Sequence, residues 1–537
     1  MNVKDNGNFT EVTLAPSDFE KALTAPAIVM GKKVISEYFL GVKVNYDFRQ
    51  GILDYVMKML GKLGSLVFSL KCIQYQTIDP KGNPYQGQAL LMAYNACRLI
   101  ADWRMPVLCY HHGTQLLRKY APSYLASNPV IRGETLEIWL AGSLAATKGY
   151  IVVMPDYQGM KQEPGDCRHP YVVAKPLGRS TADLLVHLTS HELANLKLKW
   201  NGQIFIAGYS EGGFAAMAAS KEIQENYGAQ LKITASAPSA GPYSISESMR
   251  VLMLREEEYP DAFYMPYTVA GYREKYGDGF NPQKAFKPEY QDIYALVDGY
   301  HTPDEVHAHM KNPQGILIPK HTLTDQLIMD LGKENSNICQ ALKENDLTGW
   351  KPEMPMRLYH NFSDDRVPFE NSVKAHQSFM AKGANVPLIP VFGLPIPGSE
   401  HAKAFIPCLE SGLAWFDTFV NAESHTLGWG RPLLPNLALV SAGRKYMLRF
   451  QLDGDLAIYN LTTGARTWHW NTSCKAPGMC FLQNNGRLAL YETAAYFYKE
   501  VKATTQTSAA GDCKLVMQDD GKAVIYDKNN VAVSGLN

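Results

Sequence analysis

The sequence lacks an excess of either charge, because 52 lysines and arginines balance 52 aspartates and glutamates. A chain without a basic surplus has little electrostatic attraction for the phosphate backbone of DNA or RNA. We therefore expect no nucleic-acid partner.

A long uninterrupted apolar run is also missing. The most apolar early segment, 55–70, contains Lys58 and Lys62 and falls short of a membrane span. The first residues are polar and lack the apolar core of a classical signal peptide. We expect no transmembrane segment, and both cytoplasmic residence and export by another route stay open.

The cysteines lack the spacing of metal ligands. There are nine of them, spread from Cys72 to Cys513, so at least one is unpaired if any form disulfides. The close pair Cys474 and Cys480 either forms a bridge or stays as two thiols. Nothing in this pattern indicates a metal or another cofactor, and we expect none.

The length of 537 residues exceeds what one core usually organises, which is roughly 250 to 300 residues. From about residue 71, strand and helix patterns alternate, as in a parallel sheet covered by helices. We predict an extension at 1–70 that packs on an α/β domain at 71–425, with a helical cap insertion at about 235–350. A domain of short strands with glycine turns follows at 426–537. The apolar runs that predict strands of the α/β domain lie at 105–110, 150–154, 203–207 and 356–359.

The strongest motif is Gly208-Tyr209-Ser210-Glu211-Gly212. A strand pattern precedes it and a helix of small residues follows it, which is the context of the nucleophile elbow of α/β-hydrolases. The glycines suit the tight turn and the close packing of the helix on the strand. The motif predicts Ser210 as a catalytic nucleophile.

A serine nucleophile needs a histidine to take its proton and an acid to orient that histidine. The loop after the strand at 356–359 contains Asp364 and Asp365, and Asp364 lies four residues before Pro368, the spacing seen in hydrolase acid loops. We favour Asp364 as the acid, with Asp365 as its competitor. His401 follows in the chain order expected for the base.

The reaction also needs backbone N–H groups that stabilise an oxyanion. One belongs to the residue after the nucleophile, Glu211, and the other is expected in the loop after an early strand. The sequence there is His111-His112-Gly113-Thr114, and we expect Gly113 and Thr114 to line the oxyanion hole.

Residues 70–420 resemble the secretory lipase family typified by Candida antarctica lipase A. The resemblance rests on the motifs beginning at Thr77, Tyr110, Gly149, His169, Gly208 and Ala240, and on the acid and histidine loops. It implies an α/β-hydrolase fold with a helical cap, a lipase or esterase acting on acyl esters or lipids, and a triad of Ser210, Asp364 and His401. A deacetylase of acylated glycans and a peptidase use the same chemistry and stay open as alternatives.

The tail contains three similar segments, each of which alternates polar and apolar residues after a glycine turn. They resemble the bulb-type mannose-binding lectins of monocots, which implies an all-β β-prism and a mannose-containing glycan as partner. The matching positions depart from the sugar-binding pattern in every segment, so a purely structural prism is the alternative. A chain that is mainly a glycan-binding protein is a hypothesis of another class. The sugar-site positions are Gln451, Asp453, Asp455, Tyr459, Gln483, Asn485, Tyr491, Gln518, Asp520 and Tyr526.

Overall fold

A computed structural model describes residues 66–95, 104–161 and 167–420, and short stretches of 2–43. It also describes 425–536 except 431, 434–437, 452, 475–476, 484, 494–497 and 505–512. The predicted extension at 1–70 therefore lies mostly outside the described residues. Its described part contributes the strands β1 (Asn2–Asp5), β2 (Thr10–Leu14), β3 (Tyr38–Phe39) and β4 (Val42–Lys43).

The α/β domain is built on one ten-stranded sheet in the order β1-β2-β5-β6-β8-β7-β9-β10-β11-β12. Its further strands are β5 (Leu66–Ile78), β6 (Pro84–Tyr94), β7 (Met105–His111), β8 (Ile151–Pro155), β9 (Trp200–Tyr209), β10 (Ile233–Ser239), β11 (Leu358–His360) and β12 (Leu388–Pro390). The pairs from β1 to β8 along this order are antiparallel, and those from β8 to β12 are parallel.

Helices cover the central strands, which explains why these strands read as continuous apolar runs. All residues of β7 and β8 are buried, as expected for parallel strands with both faces covered. The helices of this layer are α1 (Gly133–Thr147), α2 (Ala174–His187), α3 (Leu193–Asn195), α4 (Glu211–Asn226), α12 (Glu370–Ala381) and α13 (Glu400–Val420).

The predicted cap is helical, but its predicted start is wrong. The cap helices follow β10, and the residues from 235 to 239 belong to that strand instead of the cap. The strand escapes sequence analysis because Ile-Thr-Ala-Ser-Ala-Pro-Ser is rich in small and polar residues. The cap helices are α5 (Arg250–Met253), α6 (Tyr264–Tyr276), α7 (Pro282–Ala285), α8 (Ile293–Leu296), α9 (Pro303–Met310), α10 (Asp325–Gly332) and α11 (Asn337–Glu344).

The C-terminal domain consists of three four-stranded antiparallel sheets, β13-β22-β23-β24, β14-β19-β20-β21 and β15-β16-β17-β18. Its strands are β13 (Thr426–Gly428), β14 (Pro432–Leu433), β15 (Ala438–Val440), β16 (Tyr446–Phe450), β17 (Leu456–Asn460), β18 (Arg466–His469), β19 (Pro477–Leu482), β20 (Leu488–Thr493), β21 (Tyr498–Ala503), β22 (Lys514–Met517), β23 (Ala523–Tyr526) and β24 (Ala532–Leu536). All three sheets contribute to one apolar core. The β-prism type stays a prediction. Cys480 is an unbridged thiol, so the alternative Cys474–Cys480 disulfide does not form.

The strands β19 and β20 are buried on both faces of their sheet. Leu488 and Leu490 point into the core of the C-terminal domain. The alternate residues Phe481, Ala489 and Tyr491 belong instead to the hydrophobic core of the α/β domain. Because side chains of a strand alternate between faces, this sheet joins the two domains. No helix among the described residues is long and apolar enough to cross a membrane.

Candidate active site

Ser210 occupies a tight turn between β9 and α4. Its backbone has φ 61° and ψ −126°, a conformation that non-glycine residues rarely adopt. The flanking glycines allow this turn, because a Cβ on Gly208 would lie 2.1 Å from the carbonyl oxygen of Gly212. A Cβ on Gly212 would lie 2.0 Å from the carbonyl oxygen of His111. The local sequence therefore holds the serine in a strained position at the end of a buried strand.

The acid loop brings Asp364 to His401. The Oδ2 atom of Asp364 lies 2.6 Å from Nδ1 of His401, and both side chains are fully buried. The competitor Asp365 has a different partner, since its Oδ1 accepts a hydrogen bond from the backbone N–H of His401 at 3.0 Å. Only Asp364 of the two thus contacts the imidazole ring, and Asp365 fixes the first turn of α13.

The surroundings of Asp364 favour its ionised form. Burial by itself raises the pKa of this carboxyl, but the charge of His401 and hydrogen bonds from His360 and His401 outweigh it and hold the pKa well below its usual range. His360 lies 3.2 Å from Asp364 through Nε2, and its Nδ1 is 2.7 Å from the hydroxyl of Ser372. Nothing in the local sequence predicts this contact of His360.

The imidazole of His401 lies at the same end of the sheet as Ser210. Tyr209, the residue before the serine, donates its hydroxyl hydrogen to the backbone oxygen of His401 at 2.7 Å. The rings of Tyr209 and His401 are 5.0 Å apart. Nε2 of His401 is buried and has no hydrogen-bond partner among the described residues, so it is free to accept a proton.

In the loop after β7, one backbone N–H group expected to bind an oxyanion is bound to a buried carboxyl group instead. The N–H of Gly113 donates to both carboxylate oxygens of Glu137, at 2.9 and 3.0 Å. The expectation that Gly113 supplies an oxyanion donor is therefore wrong, because that hydrogen is already bound. Glu137 also accepts a hydrogen bond from Tyr110, and these bonds fix the backbone of the loop just before Thr114. The role of Glu137 escapes sequence analysis, since it lies on α1 with no local pattern.

Two adjacent histidines, His111 at the end of β7 and His112 in the loop, are buried. Burial lowers the pKa of His111 to about 3 and that of His112 to about 4. No group of three or more His, Cys, Asp or Glu side chains in the described part of the chain is placed to hold a metal ion.

Glu211 has a buried partner that sequence analysis missed. Its Oε1 lies 2.5 Å from Nε2 of His169, and both side chains are almost completely enclosed. His169 belongs to one of the motifs that carry the family resemblance, but nothing local to that motif predicts a contact with the residue after the nucleophile.

An apolar cavity opens beside Ser210. Glu211 and Tyr171 line it together with Ser210, and the cap helices α5, α6, α10 and α11 provide much of the remaining wall. The apolar residues of the wall are Val172, Pro242, Ile245, Met249, Met253, Met265, Val269, Phe280, Leu327, Leu331, Ile338, Leu342 and Val367.

Most polar groups on this wall already have partners. The hydroxyl of Tyr259 donates to the backbone of Arg366, and that of Thr268 donates to the backbone of Tyr264. Arg250 donates to two backbone carbonyl groups. The cavity is thus suited to an aliphatic chain, whose end would lie next to the serine hydroxyl.

The first predicted sugar site is occupied by contacts within the domain. Asp455 accepts hydrogen bonds from the N–H and hydroxyl of Thr472, and it lies 2.9 Å from Nδ1 of His469. Asp453 accepts the N–H of Asp455 at 3.0 Å. Gln451 and the half-buried Tyr459 flank this pair, and the buried Oε1 of Gln451 has no partner among the residues described around it.

The second and third predicted sites share one hydrogen bond but differ in exposure. Gln483 donates to Tyr491 at 3.0 Å, and Gln518 donates to Tyr526 at 2.6 Å. In each repeat the next polar position, Asn485 or Asp520, accepts the N–H of the residue two positions later. Tyr491 packs into the core of the α/β domain, whereas Tyr526 is half-exposed. The second site is therefore covered at Tyr491, whereas Tyr526 of the third site is partly exposed.

Two solved structures with TM-scores above 0.5 share the fold of this chain. A proposed hydrolase from Legionella pneumophila has 21% sequence identity and a TM-score of 0.58, with 79% of this chain and 99% of that chain covered. The rice cell wall degrading esterase LipA from Xanthomonas oryzae has 20% identity and a TM-score of 0.55, with coverage of 72% and 95%. Candida antarctica lipase A has 17% identity and a TM-score of 0.48, with coverage of 65% and 78%.

A search of curated protein sequences returned no match. The model of the secretory lipase family matches residues 136–424, which include Ser210, Asp364 and His401. Because this match spans more than half of the chain, the chain belongs to the secretory lipase family.

Proposed function

We propose that the protein hydrolyses carboxylic esters through Ser210, His401 and Asp364. The observation that carries the proposal is the 2.6 Å contact between Asp364 and His401 at the end of the sheet where Ser210 occupies its strained turn. Asp364 stays ionised and keeps the hydrogen on Nδ1 of His401, which leaves Nε2 as the base.

The reaction proceeds in two steps. Nε2 of His401 takes the hydroxyl proton of Ser210 while Oγ attacks the ester carbonyl, and the same proton then passes to the departing alcohol. The acyl group stays on Oγ as an ester. Water attacks this acyl-enzyme in the same way, with His401 again taking and returning one proton, and the free acid leaves.

The tetrahedral oxyanion of each step needs two donors. We assign the backbone N–H of Glu211 as the first donor. It lies at the beginning of α4, where the helix dipole also favours negative charge. The second donor is the N–H of Thr114, the next residue after the bound Gly113. Thr114 is held by its hydroxyl, which lies 3.1 Å from the hydroxyl of Tyr171.

The substrate is an ester with an extended aliphatic acyl chain. The cavity beside Ser210 is lined by apolar side chains, and each methylene buried there contributes about 0.8 kcal/mol. An acetyl group would leave most of this cavity unfilled, and a peptide would bury unpaired amide groups against apolar walls. The cavity thus favours a lipase or esterase over a deacetylase or peptidase.

A chain-length series tests the proposal. Purified protein is assayed with p-nitrophenyl esters from acetate to palmitate, and the Ser210→Ala variant serves as the matched control. We expect kcat/KM to rise up to about fourfold per added methylene until the cavity is full. A fluorophosphonate probe should label the wild type but not Ser210→Ala. Absence of both hydrolysis and labelling would contradict the proposal.

We propose that any glycan binding by the C-terminal domain occurs at the third repeat. Gln518 and Tyr526 lie on a half-exposed face, next to Asp520. A glycan array that compares full-length protein with the Asp520→Ala variant tests this second function. Equal binding by both proteins, or binding by neither, would exclude a sugar site at this repeat.

A further inference from the structure

A buried acid, Glu211, follows the nucleophile directly in the chain and contacts a buried histidine, His169. Oε1 of Glu211 is 2.5 Å from Nε2 of His169, and the two side chains are 1% and 2% exposed. Neither residue has a place in the triad. The net charge of this pair matters, because burying a carboxylate without a compensating positive charge or proton costs free energy.

The contacts of His169 fix the number of protons on the pair. Nδ1 lies 3.1 Å from the carbonyl oxygen of Gln158, which can only accept, so Nδ1 carries a hydrogen. One further proton then lies between Nε2 and Oε1 of Glu211. Whether that proton belongs to the nitrogen or to the oxygen, the pair has no net charge.

The surrounding side chains hold the imidazole in place. The ring of Tyr157 stacks on His169 at 5.4 Å, and the ring of Tyr267 lies 5.5 Å away. Gly159 has φ 77°, and a Cβ there would lie 2.4 Å from the backbone nitrogen of His169. This packing keeps solvent from the pair, so water does not supply a replacement for the proton.

The charge of Glu211 matters because of its position. Glu211 lines the cavity together with Ser210, and its buried Oε2 has no hydrogen-bond partner in the part of the chain that the structure describes. The N–H of the same residue is the proposed oxyanion donor. If the shared proton were absent, a negative charge would lie beside the negative charge that develops in the transition state.

We infer that His169 is a positioning residue that cancels the charge of Glu211, so that the anionic transition state forms next to a neutral pair. This inference rests on the proposed ester hydrolysis. It predicts that the requirement for His169 disappears when residue 211 is itself uncharged.

The test is a double-mutant cycle with His169→Gln and Glu211→Gln. Glutamine at 169 keeps an N–H donor for Glu211 but cannot hold the extra proton. We expect His169→Gln to lower kcat/KM for a p-nitrophenyl ester about 100-fold, an effect comparable to the loss of one oxyanion donor. The double variant should recover at least about tenfold of that loss, since no buried charge is left. His321→Gln, which alters an exposed histidine paired with Glu256, is the matched control and should keep wild-type activity.

The rate of labelling by a fluorophosphonate is the second measurement, because attack by Ser210 on phosphorus also places a negative oxygen in the oxyanion hole. Wild-type protein that is labelled but does not hydrolyse esters would contradict the proposed function and still test this inference. Wild-type activity in His169→Gln would overturn it. If His169→Gln does not fold, the double variant is compared with Glu211→Gln. Rates within about threefold support charge cancellation, and a 100-fold gap overturns it.

Discussion

The carboxylate of Asp364 lies 2.6 Å from Nδ1 of His401, although 37 residues separate the two in the chain. Its neighbour Asp365 contacts the backbone N–H of the same histidine. Two adjacent carboxylates therefore hold one histidine, one by its ring and one by its main chain. Substituting each carboxylate in turn therefore separates the orientation of the His401 ring from the anchoring of its main chain.

The Asp364→Asn variant should lose activity by about 10³- to 10⁴-fold in kcat, because an amide favours the wrong tautomer of His401. Asp365→Asn should lose less than about tenfold, since its Oδ1 still accepts the N–H of His401. Both rates are measured with the best ester of the chain-length series. Similar losses in the two variants would show that Asp364 is not the orienting acid.

The cavity wall offers a second comparison. Val269 on α6 is buried and lines the cavity, so Val269→Phe should shorten the space for the acyl chain. We expect kcat/KM for the decanoate ester to fall at least about tenfold, while the butyrate ester changes less than about threefold. Val251→Phe on the exposed face of α5 is the control. An equal loss on both esters would indicate general overpacking instead of a shortened chain site.

The pH dependence of stability should report on Glu137. Burial raises the pKa of this carboxyl to about 8, even though hydrogen bonds from Tyr110 and Gly113 oppose the shift. An unfolded glutamate titrates near about 4.3. Between these values the folded chain binds a proton that the unfolded chain lacks. The free energy of unfolding therefore falls as the pH rises through this window, by up to about 1.4 kcal/mol per pH unit.

The Glu137→Gln variant lacks this titrating group, so its free energy of unfolding should change less with pH than that of the wild type. Urea unfolding midpoints at pH 5, 6, 7 and 8 provide the measurement, and Glu225→Gln, an exposed position on α4, is the control. Asp156, whose pKa burial raises to about 7, contributes equally to both proteins. Parallel curves for wild type and Glu137→Gln would mean that the buried carboxyl is already ionised.

The elbow could be predicted from sequence because its requirements are local. The turn at Ser210 needs glycines two residues to each side, and the pattern of strand and helix lies in adjacent residues. The acid and the histidine follow from chain order. Asp364 and Asp365 could be ranked by their spacing from Pro368, but only the folded loop shows which carboxylate reaches the ring.

Contacts between distant segments escaped sequence analysis for a physical reason. The N–H of Gly113 is expected from the sequence to bind the oxyanion, but Glu137 on α1 binds it instead. His169 meets Glu211 only after β9 and its neighbours assemble. The strand β10 has few large apolar residues, and its burial is imposed by the strands on each side. Local patterns do not encode these pairings.

The packing of Tyr491 against the α/β domain provides the last test. Tyr491 and Tyr526 occupy equivalent positions in two repeats, and each accepts a hydrogen bond from a glutamine. Substitution by alanine removes the same bond in both. Tyr491→Ala also opens a cavity between the domains and should lower the free energy of unfolding by about 3 to 5 kcal/mol. Tyr526→Ala should lower it much less, because Tyr526 is half-exposed.

Calorimetry distinguishes the two results. We expect wild type and Tyr526→Ala to unfold in one transition, and Tyr491→Ala to show a separate, lower transition for the C-terminal domain, because the shared sheet no longer joins the two cores. Equal shifts in the two variants would show that the interface contributes no stability beyond that of the repeat itself. A selective effect at Tyr491 would mean that the second repeat serves as a joint, since the surface a sugar would need is covered by the α/β domain.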